Sequence, residues 1–290
     1  MVGGTLRSLR HMCGRYAATA TPDELVLEFE VEQDRTAEPG RSVLASPQDP
    51  PPGRPDYNMA PTKQAPVVLA RSPREDRTAP PRRQLRLLTW GLVPSWSKDT
   101  KGGVRMINAR VESVADRPAF ARALAARRCL VPARGWYEWQ ASPSAVDSSG
   151  RPRKQPFFTS RADGSSVALA GLYELWRDPA VEDPGDPMAW LATFTVLTGA
   201  AEPGLDRIHE RQPVVLEAGE WERWLDPEAG AETVADLLSP RPPGRFVAHP
   251  VSRSVGSSRA NGPQLLEPTP VEELEGVVDP MTGEVLGGAG

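Results

Sequence analysis

Short apolar runs separated by turn residues dominate this chain. Runs rich in Val, Leu, Phe, Trp and Tyr predict β-strands, and they span 66–71, 85–93, 129–139, 156–160, 167–176, 191–198, 212–217 and 245–252. The links between several of them are as short as those of β-hairpins. Many strands with few helices predict an α+β fold built on antiparallel sheet.

Helical patterns are fewer and shorter. Thr21-Pro22-Asp23-Glu24 forms a capping box with proline at the first helical position, which predicts a helix through about Glu30. The segment 116–128 repeats apolar residues at helical spacing, with arginines near its end. Two further short helices are predicted at 220–225 and 232–238.

Proline-rich segments interrupt this pattern. The 32 prolines among 290 residues are about twice the usual ~5% usage. Six of them lie in 34–56, and the segments 72–84 and 141–155 resemble further loops. These three segments are predicted to be surface loops, with 34–56 an insertion. Because no linker separates two independent cores, we predict one domain over 12–268.

Composition excludes several classes of protein. Two cysteines and three histidines provide neither a zinc-binding cluster nor a disulfide framework. The sequence has no run of 18 apolar residues, so no membrane span is predicted. Residues 1–11 carry charge without an apolar segment and do not form a signal peptide. We expect a soluble, cytoplasmic monomer that needs no metal or cofactor.

The net charge of −4 is unevenly distributed. Six acidic residues and no basic ones follow Ala260, so the rest of the chain carries +2. The arginines of that part concentrate at Arg105, Arg110, Arg117, Arg122, Arg127, Arg128 and Arg134. Clustered arginine fits a nucleic-acid binder or simply a solvated helical face. The acidic, glycine-rich segment 269–290 is predicted to be a disordered tail.

Met12-Cys13 offers unusual chemistry. If translation begins at Met12 and that methionine is removed, Cys13 carries a thiol and a free α-amine, both partly nucleophilic near neutral pH. Such a 1,2-aminothiol condenses with an aldehyde and closes a thiazolidine ring. The alternative is that Cys13 is an ordinary buried strand cysteine.

Two residues could move protons for such a reaction. His209 lies in a polar loop before a strand and is a natural proton shuttle, although a surface histidine would look the same. Glu138 lies in Gly135-Trp136-Tyr137-Glu138-Trp139. A carboxylate desolvated by tryptophans suits general acid catalysis, whereas an outward-facing strand glutamate would have no such role.

Three more residues are candidates for binding. Asn108 and Arg110 lie on the same face of an extended segment, where they could hold a phosphate or orient a carbonyl. Trp96 follows a proline-rich turn and could stack on an unpaired base. Trp90, six residues earlier, is equally consistent with core packing.

Seven motifs, taken in order, resemble the SRAP (SOS-response-associated peptidase) family, whose members process abasic sites in single-stranded DNA. They are Met12-Cys13-Gly14-Arg15-Tyr16, Tyr57-Asn58-Met59-Ala60-Pro61, Trp90-Gly91-Leu92-Val93-Pro94, Ile107-Asn108-Ala109-Arg110-Val111-Glu112, Gly135-Trp136-Tyr137-Glu138-Trp139, Ile208-His209-Glu210-Arg211-Gln212-Pro213 and His249-Pro250-Val251-Ser252. Each motif is weakly specific, but seven in family order are strong evidence.

The resemblance implies a fold and a set of roles. The fold is a single α+β domain with a twisted, barrel-like antiparallel sheet. The implied catalytic residues are Cys13, Asn108, Glu138 and His209. Arg15 and Arg110 are implied to contact DNA phosphates, and the implied partner is single-stranded DNA with an abasic site. The implied activity is a covalent DNA–protein crosslink, with lyase-like and autoprocessing peptidase activities, in the DNA damage response and on the nucleoid.

Residues 1–11 depart from the family pattern, because an attached leader would block the aminothiol chemistry. Either the start codon is Met12, or the protein's own cysteine removes the leader. Two other functions remain open on the residues alone. The first is an N-terminal-nucleophile amidohydrolase or cysteine peptidase that uses Cys13 and His209, and the second is a non-covalent binder of single-stranded DNA.

Overall fold

The computed structural model describes residues 14–73, 76 and 78–287. Its strands are β1 (Arg15–Ala18), β2 (Gln33–Asp34), β3 (Asp56–Met59), β4 (Gln64–Arg71), β5 (Arg82–Trp90), β6 (Asn108–Arg110), β7 (Arg128–Ala133), β8 (Gly135–Val146), β9 (Pro152–Arg161), β10 (Val167–Arg177), β11 (Trp190–Ala200), β12 (Arg211–Pro213), β13 (Val215–Leu216), β14 (Phe246–Pro250), β15 (Val277–Val278) and β16 (Val285–Leu286).

The helices are short. The α-helices are α1 (Pro22–Glu28), α2 (Ala121–Ala126) and α3 (Trp221–Leu225). The 3-10 helices span Gly103–Arg105, Pro187–Ala189, Leu205–Arg207, Ala218–Glu220, Ala231–Leu238, Arg253–Gly256, Pro263–Leu266 and Val271–Glu273.

Five strands close into a barrel. In the order β11-β10-β7-β4-β5 neighbouring strands are antiparallel, and β5 returns to β11 through a short parallel pairing of Thr89 with Thr193 and Trp90 with Phe194. Because side chains alternate across a strand, every second residue points into the barrel. Trp90, Phe194 and Tyr173 are among the buried side chains of this core. The predicted α+β fold with a barrel-like sheet is confirmed.

A second sheet of five strands, in the order β14-β9-β8-β1-β3, packs beside the barrel. The predicted strand 129–139 is divided between the two sheets, since β7 pairs with the barrel strands and β8 pairs with β1 and β9. Arg134 lies between β7 and β8, where the chain passes from one sheet to the other. Position 135 requires glycine, because a Cβ there would overlap the Thr159 carbonyl oxygen and lie 2.6 Å from Phe158 Cζ.

Local signals explain most helix and turn positions. The capping box of α1 is present, with the Thr21 N–H donating to Glu24 Oε2 at 2.7 Å. The predicted helix at 116–128 shortens to α2 because turns occupy the residues before it, and 232–238 forms a 3-10 helix. The expected loop at 141–155 is wrong, since β8 and β9 continue to a tight turn that the Asp147 carboxylate stabilises.

The proline-rich segment 34–56 lies against one end of the barrel. Gln48 and Gln64 exchange two hydrogen bonds, of 2.6 and 3.0 Å, between this segment and β4. Val43 packs beside Val93 and Trp176. The segment therefore lacks long elements but covers barrel residues.

The C-terminal segment differs from the expected disordered tail. Residues up to 287 include a 3-10 helix and the hairpin β15–β16. Leu274 and Val277 are buried in the main core. The Gln140 side-chain amide exchanges two hydrogen bonds of 2.8 Å with the Val278 backbone. These apolar and backbone contacts order the segment, while most of its acidic side chains stay exposed.

Candidate functional site

The chain enters the candidate site just before β1. Cys13 lies outside the described residues, and Gly14 is the first residue within them. β1 pairs antiparallel with β8, with Arg15 opposite Tyr137, so the same register continued by one residue puts Gly14 opposite Glu138. A Cβ on Gly14 would lie 3.9 Å from Ile107 Cδ1. Gly14 thus lies between two of the predicted catalytic motifs.

Glu138 is a buried carboxylate on β8. Only 4% of the residue is exposed, and it shares a strand face with Trp136 and Gln140 because side chains alternate. Trp136 belongs to the main core, and Phe157 faces Glu138 across the sheet. The outward-facing alternative for this glutamate is therefore wrong.

Asn108 and Arg110 form the ends of β6, which pairs in parallel with β11. Asn108 is half-buried and Arg110 is exposed. The preceding carbonyl of Ile107 accepts hydrogen bonds from Trp90 Nε1 at 2.9 Å and from the Val196 N–H at 3.0 Å. The barrel thereby holds this segment, and the side chains of Asn108 and Arg110 share one face, as predicted.

His209 is half-buried in the loop after the 3-10 helix Leu205–Arg207. Its backbone N–H donates to the Leu205 carbonyl at 3.1 Å. The ring Nδ1 accepts a hydrogen bond from the Arg211 N–H at 3.1 Å and lies 3.3 Å from the Arg211 carbonyl oxygen.

Two polar bridges bring these segments together. Arg211, two residues after His209, binds the Glu112 carboxylate of the β6 segment through two hydrogen bonds, of 2.9 and 2.8 Å. Gln140, two residues after Glu138, donates to the Arg207 carbonyl at 3.1 Å. These contacts connect the segments that carry Asn108, Glu138 and His209, beside the start of β1.

Sequence reasoning gave no role to the bridging residues. Glu112 and Arg211 belong to two of the seven family motifs, but they are 99 residues apart, so no local pattern indicates that they pair. The hydrogen bonds of Arg211 lower the pKa of the Glu112 carboxyl below its usual value. Only Gln140 had a local signal, since it lies two residues beyond Glu138 on the same strand face.

Arg15 serves the protein's own structure. Its Nη1 donates to Asn58 Oδ1 at 2.7 Å and to the Val255 carbonyl at 2.8 Å, and its Nη2 donates to the Gly256 carbonyl at 3.3 Å. Burial lowers the pKa of its guanidinium. Asn58 itself donates to three carbonyls within 255–260. Arg15 thus secures that loop, and its contact with a DNA phosphate stays a prediction.

The two tryptophans of the Trp90–Trp96 stretch have different environments. Trp90 is buried, and its ring lies 5.1 Å from that of Tyr16 and stacks on Phe194 at 6.2 Å. Trp96 is 66% exposed. The Trp176 indole anchors the turn beside it by donating to the Ser97 carbonyl at 2.7 Å. Trp96 is thus available for contact with a partner.

Two classes of feature are absent from the described part of the chain. Over residues 14–73, 76 and 78–287, no three His, Cys, Asp or Glu side chains are placed to hold a metal ion. Within those same ranges, the helices are too short or too polar to cross a bilayer.

Comparisons with known proteins agree with this architecture. The family model described as SOS response associated peptidase (SRAP) matches residues 12–258. The abasic site processing protein YoqW of Bacillus subtilis (strain 168) is 30% identical over 259 residues, covering 88% of this chain and 99% of that protein. The abasic site processing protein YedK of Escherichia coli (strain K12) is 30% identical over 262 residues, covering 89% and 100%.

A solved structure supports the fold independently. The crystal structure of a protein from Bacteroides thetaiotaomicron superposes with a TM-score of 0.68 at 21% identity, covering 89% of this chain and 100% of that one. At this identity the likeness concerns the fold alone. With a family-model match over most of its length and relatives of 30% identity, this chain belongs to the SRAP family.

Proposed function

We propose that this protein processes abasic sites in single-stranded DNA and forms a covalent crosslink through Cys13 as part of the DNA damage response. The observation that supports the proposal most is that the segments bearing Asn108, Glu138 and His209 meet beside the strand that follows Cys13. The names of the relatives, which are abasic site processing proteins, support the choice of substrate.

The chemistry is a condensation of an aminothiol with an aldehyde. The Cys13 α-amine attacks the C1′ aldehyde of the ring-opened deoxyribose to give a carbinolamine, which loses water to form an imine. The Cys13 thiolate then adds to the imine carbon, and the nitrogen takes up a proton as the thiazolidine ring closes. No electrons are exchanged with another molecule, and the overall leaving group is water.

Each site residue has a role in this scheme. The Glu138 carboxyl, buried beside Trp136, gives and takes the protons of the amine and the carbinolamine. The His209 ring transfers a proton for the sugar, at ring opening or at the 4′-hydroxyl. Asn108 orients the N-terminal residue through its side-chain amide. Exposed Arg110 and Trp96 bind a phosphate and an unpaired base.

The proposal requires that Cys13 be the first residue of the active protein. Initiation at Met12 followed by methionine removal would achieve this, and the family-model match that begins at Met12 supports that route. Autoproteolysis by Cys13 is the other route. Intact mass of protein purified from the natural gene distinguishes the two, because autoproteolysis predicts that a Cys13→Ala variant keeps residues 1–12.

The test combines the protein initiated at Met12 with single-stranded DNA that holds one abasic site. We expect a band on a denaturing gel that survives heat and is absent with Cys13→Ala. Cys129→Ala is the matched control, since Cys129 is buried in the core and burial raises the pKa of its thiol. Turnover of an amide substrate without a band would identify a hydrolase, and a shift only on a native gel would identify a non-covalent binder.

A further inference from the structure

The open end of the barrel forms a cleft of about 550 Å³. Its walls come from the ends of β4, β5, β10 and β11 and from two loops, 35–41 and 185–190. A cleft of this volume is within the range that binds small organic ligands. The family motifs do not include its lining, and the function proposed above does not use it.

Positive charge dominates this cleft. Among the described residues, its lining includes Arg35, Arg41, Arg71 and Arg86 but only one carboxylate, that of Glu38. Arg41 is neutralised by an ion pair with Asp178. The remaining three arginines and Glu38 give the described lining an excess charge of +2.

Two glutamines, one of them buried, hold two of these cations, Arg35 and Arg86. Gln84 is 2% exposed, and its Oε1 accepts from Arg86 Nε at 2.9 Å. Gln33 Oε1 accepts from Arg35 Nε and Nη2 at 3.1 and 3.0 Å. Because the guanidinium groups of Arg35 and Arg86 are held before any ligand arrives, ordering them on binding costs little side-chain entropy.

The cations also crowd one another. Glu38 lies 2.5 Å from Arg35 Nη1 and 3.2 Å from Arg86 Nη1, so it is shared between them. Among the described residues, no carboxylate pairs with Arg71. Burial, together with the charges of Arg71 and Arg35, lowers the pKa of Arg86, whereas Glu38 raises it. A bound anion would relieve this repulsion.

The cleft is separate from the site near Cys13. Leu69, Leu88 and Tyr173 form its floor. On β11 the cleft reaches Ala192, whereas Asn108 pairs with Val196 four residues further on, which is about 13 Å at ~3.3 Å per residue. The stacked rings of Trp90 and Phe194 fill the barrel in that direction.

We propose that the cleft at the open end of the barrel binds a phosphate monoester through Arg35, Arg71 and Arg86. A phosphate monoester carries roughly −1.5 to −2 charges at neutral pH, which matches the excess charge of the cleft, and guanidinium groups bind it in bidentate geometry. The phenol of Tyr173 lies at the floor, and the remaining volume accommodates a nucleoside. The monoester belongs either to a free mononucleotide or to the terminal phosphate of a DNA strand.

Calorimetric titration tests the proposal with four probes: thymidine 5′-monophosphate, thymidine, and one oligonucleotide with and without a 5′-phosphate. We expect the monophosphate to bind wild-type protein and thymidine not to bind. Arg71→Gln and Arg86→Gln should each weaken binding of the monophosphate at least 10-fold. Arg151→Gln is the matched control, since this arginine has a 79% exposed side chain in the β8–β9 turn, and its affinity should equal that of wild type.

The results distinguish the two possible sources of the phosphate monoester and define what would overturn the proposal. If the 5′-phosphate strengthens oligonucleotide binding and Arg71→Gln abolishes the gain, the ligand is a DNA end. If only the mononucleotide binds, the ligand is a free nucleotide. Absence of binding by both phosphate probes, binding of thymidine as tight as that of the monophosphate, or unchanged affinity in Arg71→Gln would overturn the proposal. Arg71→Gln removes no side-chain hydrogen bond or ion pair between described residues, so it tests the proposal even if Arg86→Gln fails to fold. Crosslinking at Cys13 should be unaffected in Arg71→Gln.

Discussion

Arg211 and Glu112 form a bidentate ion pair, with Nη1 2.9 Å from Oε1 and Nη2 2.8 Å from Oε2. The backbone N–H of the same arginine donates to His209 Nδ1, and Glu112 follows the strand that carries Asn108. Arg211 therefore connects the loop that carries His209 to Glu112, in the segment that follows β6. Bidentate arginine pairs supply geometric specificity that a lysine cannot reproduce.

We predict that Arg211→Lys slows crosslinking roughly 10- to 100-fold while abasic DNA still binds, because a misplaced catalytic group loses rate before affinity. Glu112→Gln should slow the reaction to a similar extent. Single-turnover rates for both variants and for the double variant check this. If the two act through one pair, their effects are not additive. Additive losses, or a weaker affinity with an unchanged rate, would contradict the positioning role.

The sequence predicted individual elements better than their arrangement. The capping box fixed the start of α1 because its partners are three residues apart. The apolar run at 129–139 correctly predicted extended structure. The change of the chain from one sheet to the other at Arg134, however, depends on pairing with β1, β9 and β10, which no local pattern indicates. The order of the C-terminal segment was missed for the same reason, since Gln140 and Val278 are 138 residues apart.

The site residues could be predicted individually but not their support. Glu138 was chosen because tryptophans flank it, and burial of Trp136 on the same strand face agrees with that reasoning. Trp139, however, packs on the opposite face, against the cluster around Tyr137 and Val251. Arg15 illustrates the limit, because the sequence indicates a cation but not the Val255 and Gly256 carbonyls that occupy its guanidinium.

The C-terminal hairpin should stabilise both the core and the histidine loop. Ending the chain at Pro268 removes buried Leu274 and Val277, each worth roughly 1.5–3 kcal/mol of burial. It also removes the Pro280 carbonyl that accepts from Arg207 Nη1 at 2.6 Å. We predict a melting temperature lowered by several degrees and slower crosslinking. Ending the chain after Gly287 is the control. Equal melting temperatures for the two truncations would contradict this packing.

The two candidate DNA-binding arginines should behave differently. Arg110 is exposed, so Arg110→Ala should reduce the slope of log K against log salt for single-stranded DNA by about 0.7. Arg15→Ala should change that slope less and lower the melting temperature more, because three protein acceptors lose their donor. Binding isotherms at several salt concentrations measure the slope. An unchanged slope for Arg110→Ala would remove this residue from the DNA interface.

Glu202 should make stability depend on pH. The residue is 6% exposed, and its Oε2 has no hydrogen-bond partner among the described residues. Burial raises the pKa of this carboxyl, although Arg245 opposes the shift. A carboxyl group whose pKa is higher in the folded than in the unfolded state stabilises the fold at pH values below its unfolded-state pKa. This stabilisation is lost as the pH rises through the folded-state pKa. Glu202→Gln should therefore raise the melting temperature at pH 7 and have little effect at pH 4. An equal effect at both values would contradict the assignment.

The last prediction separates Glu138 from His209. Glu138→Gln keeps the shape of a buried side chain but cannot exchange protons, so imine formation should slow by about 10²-fold at neutral pH. The rate should partly recover at alkaline pH, where the Cys13 α-amine loses its proton without help. Glu222→Gln is the matched control, since that glutamate is exposed on α3, and it should react like wild type.

His209→Ala should slow the reaction in a different way. The wild-type rate should show a step in the pH range where histidines titrate, and this variant should lose that step. Single-turnover crosslinking from pH 5 to pH 9 measures both profiles, and both variants should still bind abasic DNA. A Glu138→Gln rate equal to that of Glu222→Gln at every pH would show that the buried carboxylate only supports the fold. The proton transfers would then have to come from His209 or from solvent, because Asn108 has no group that titrates in this range.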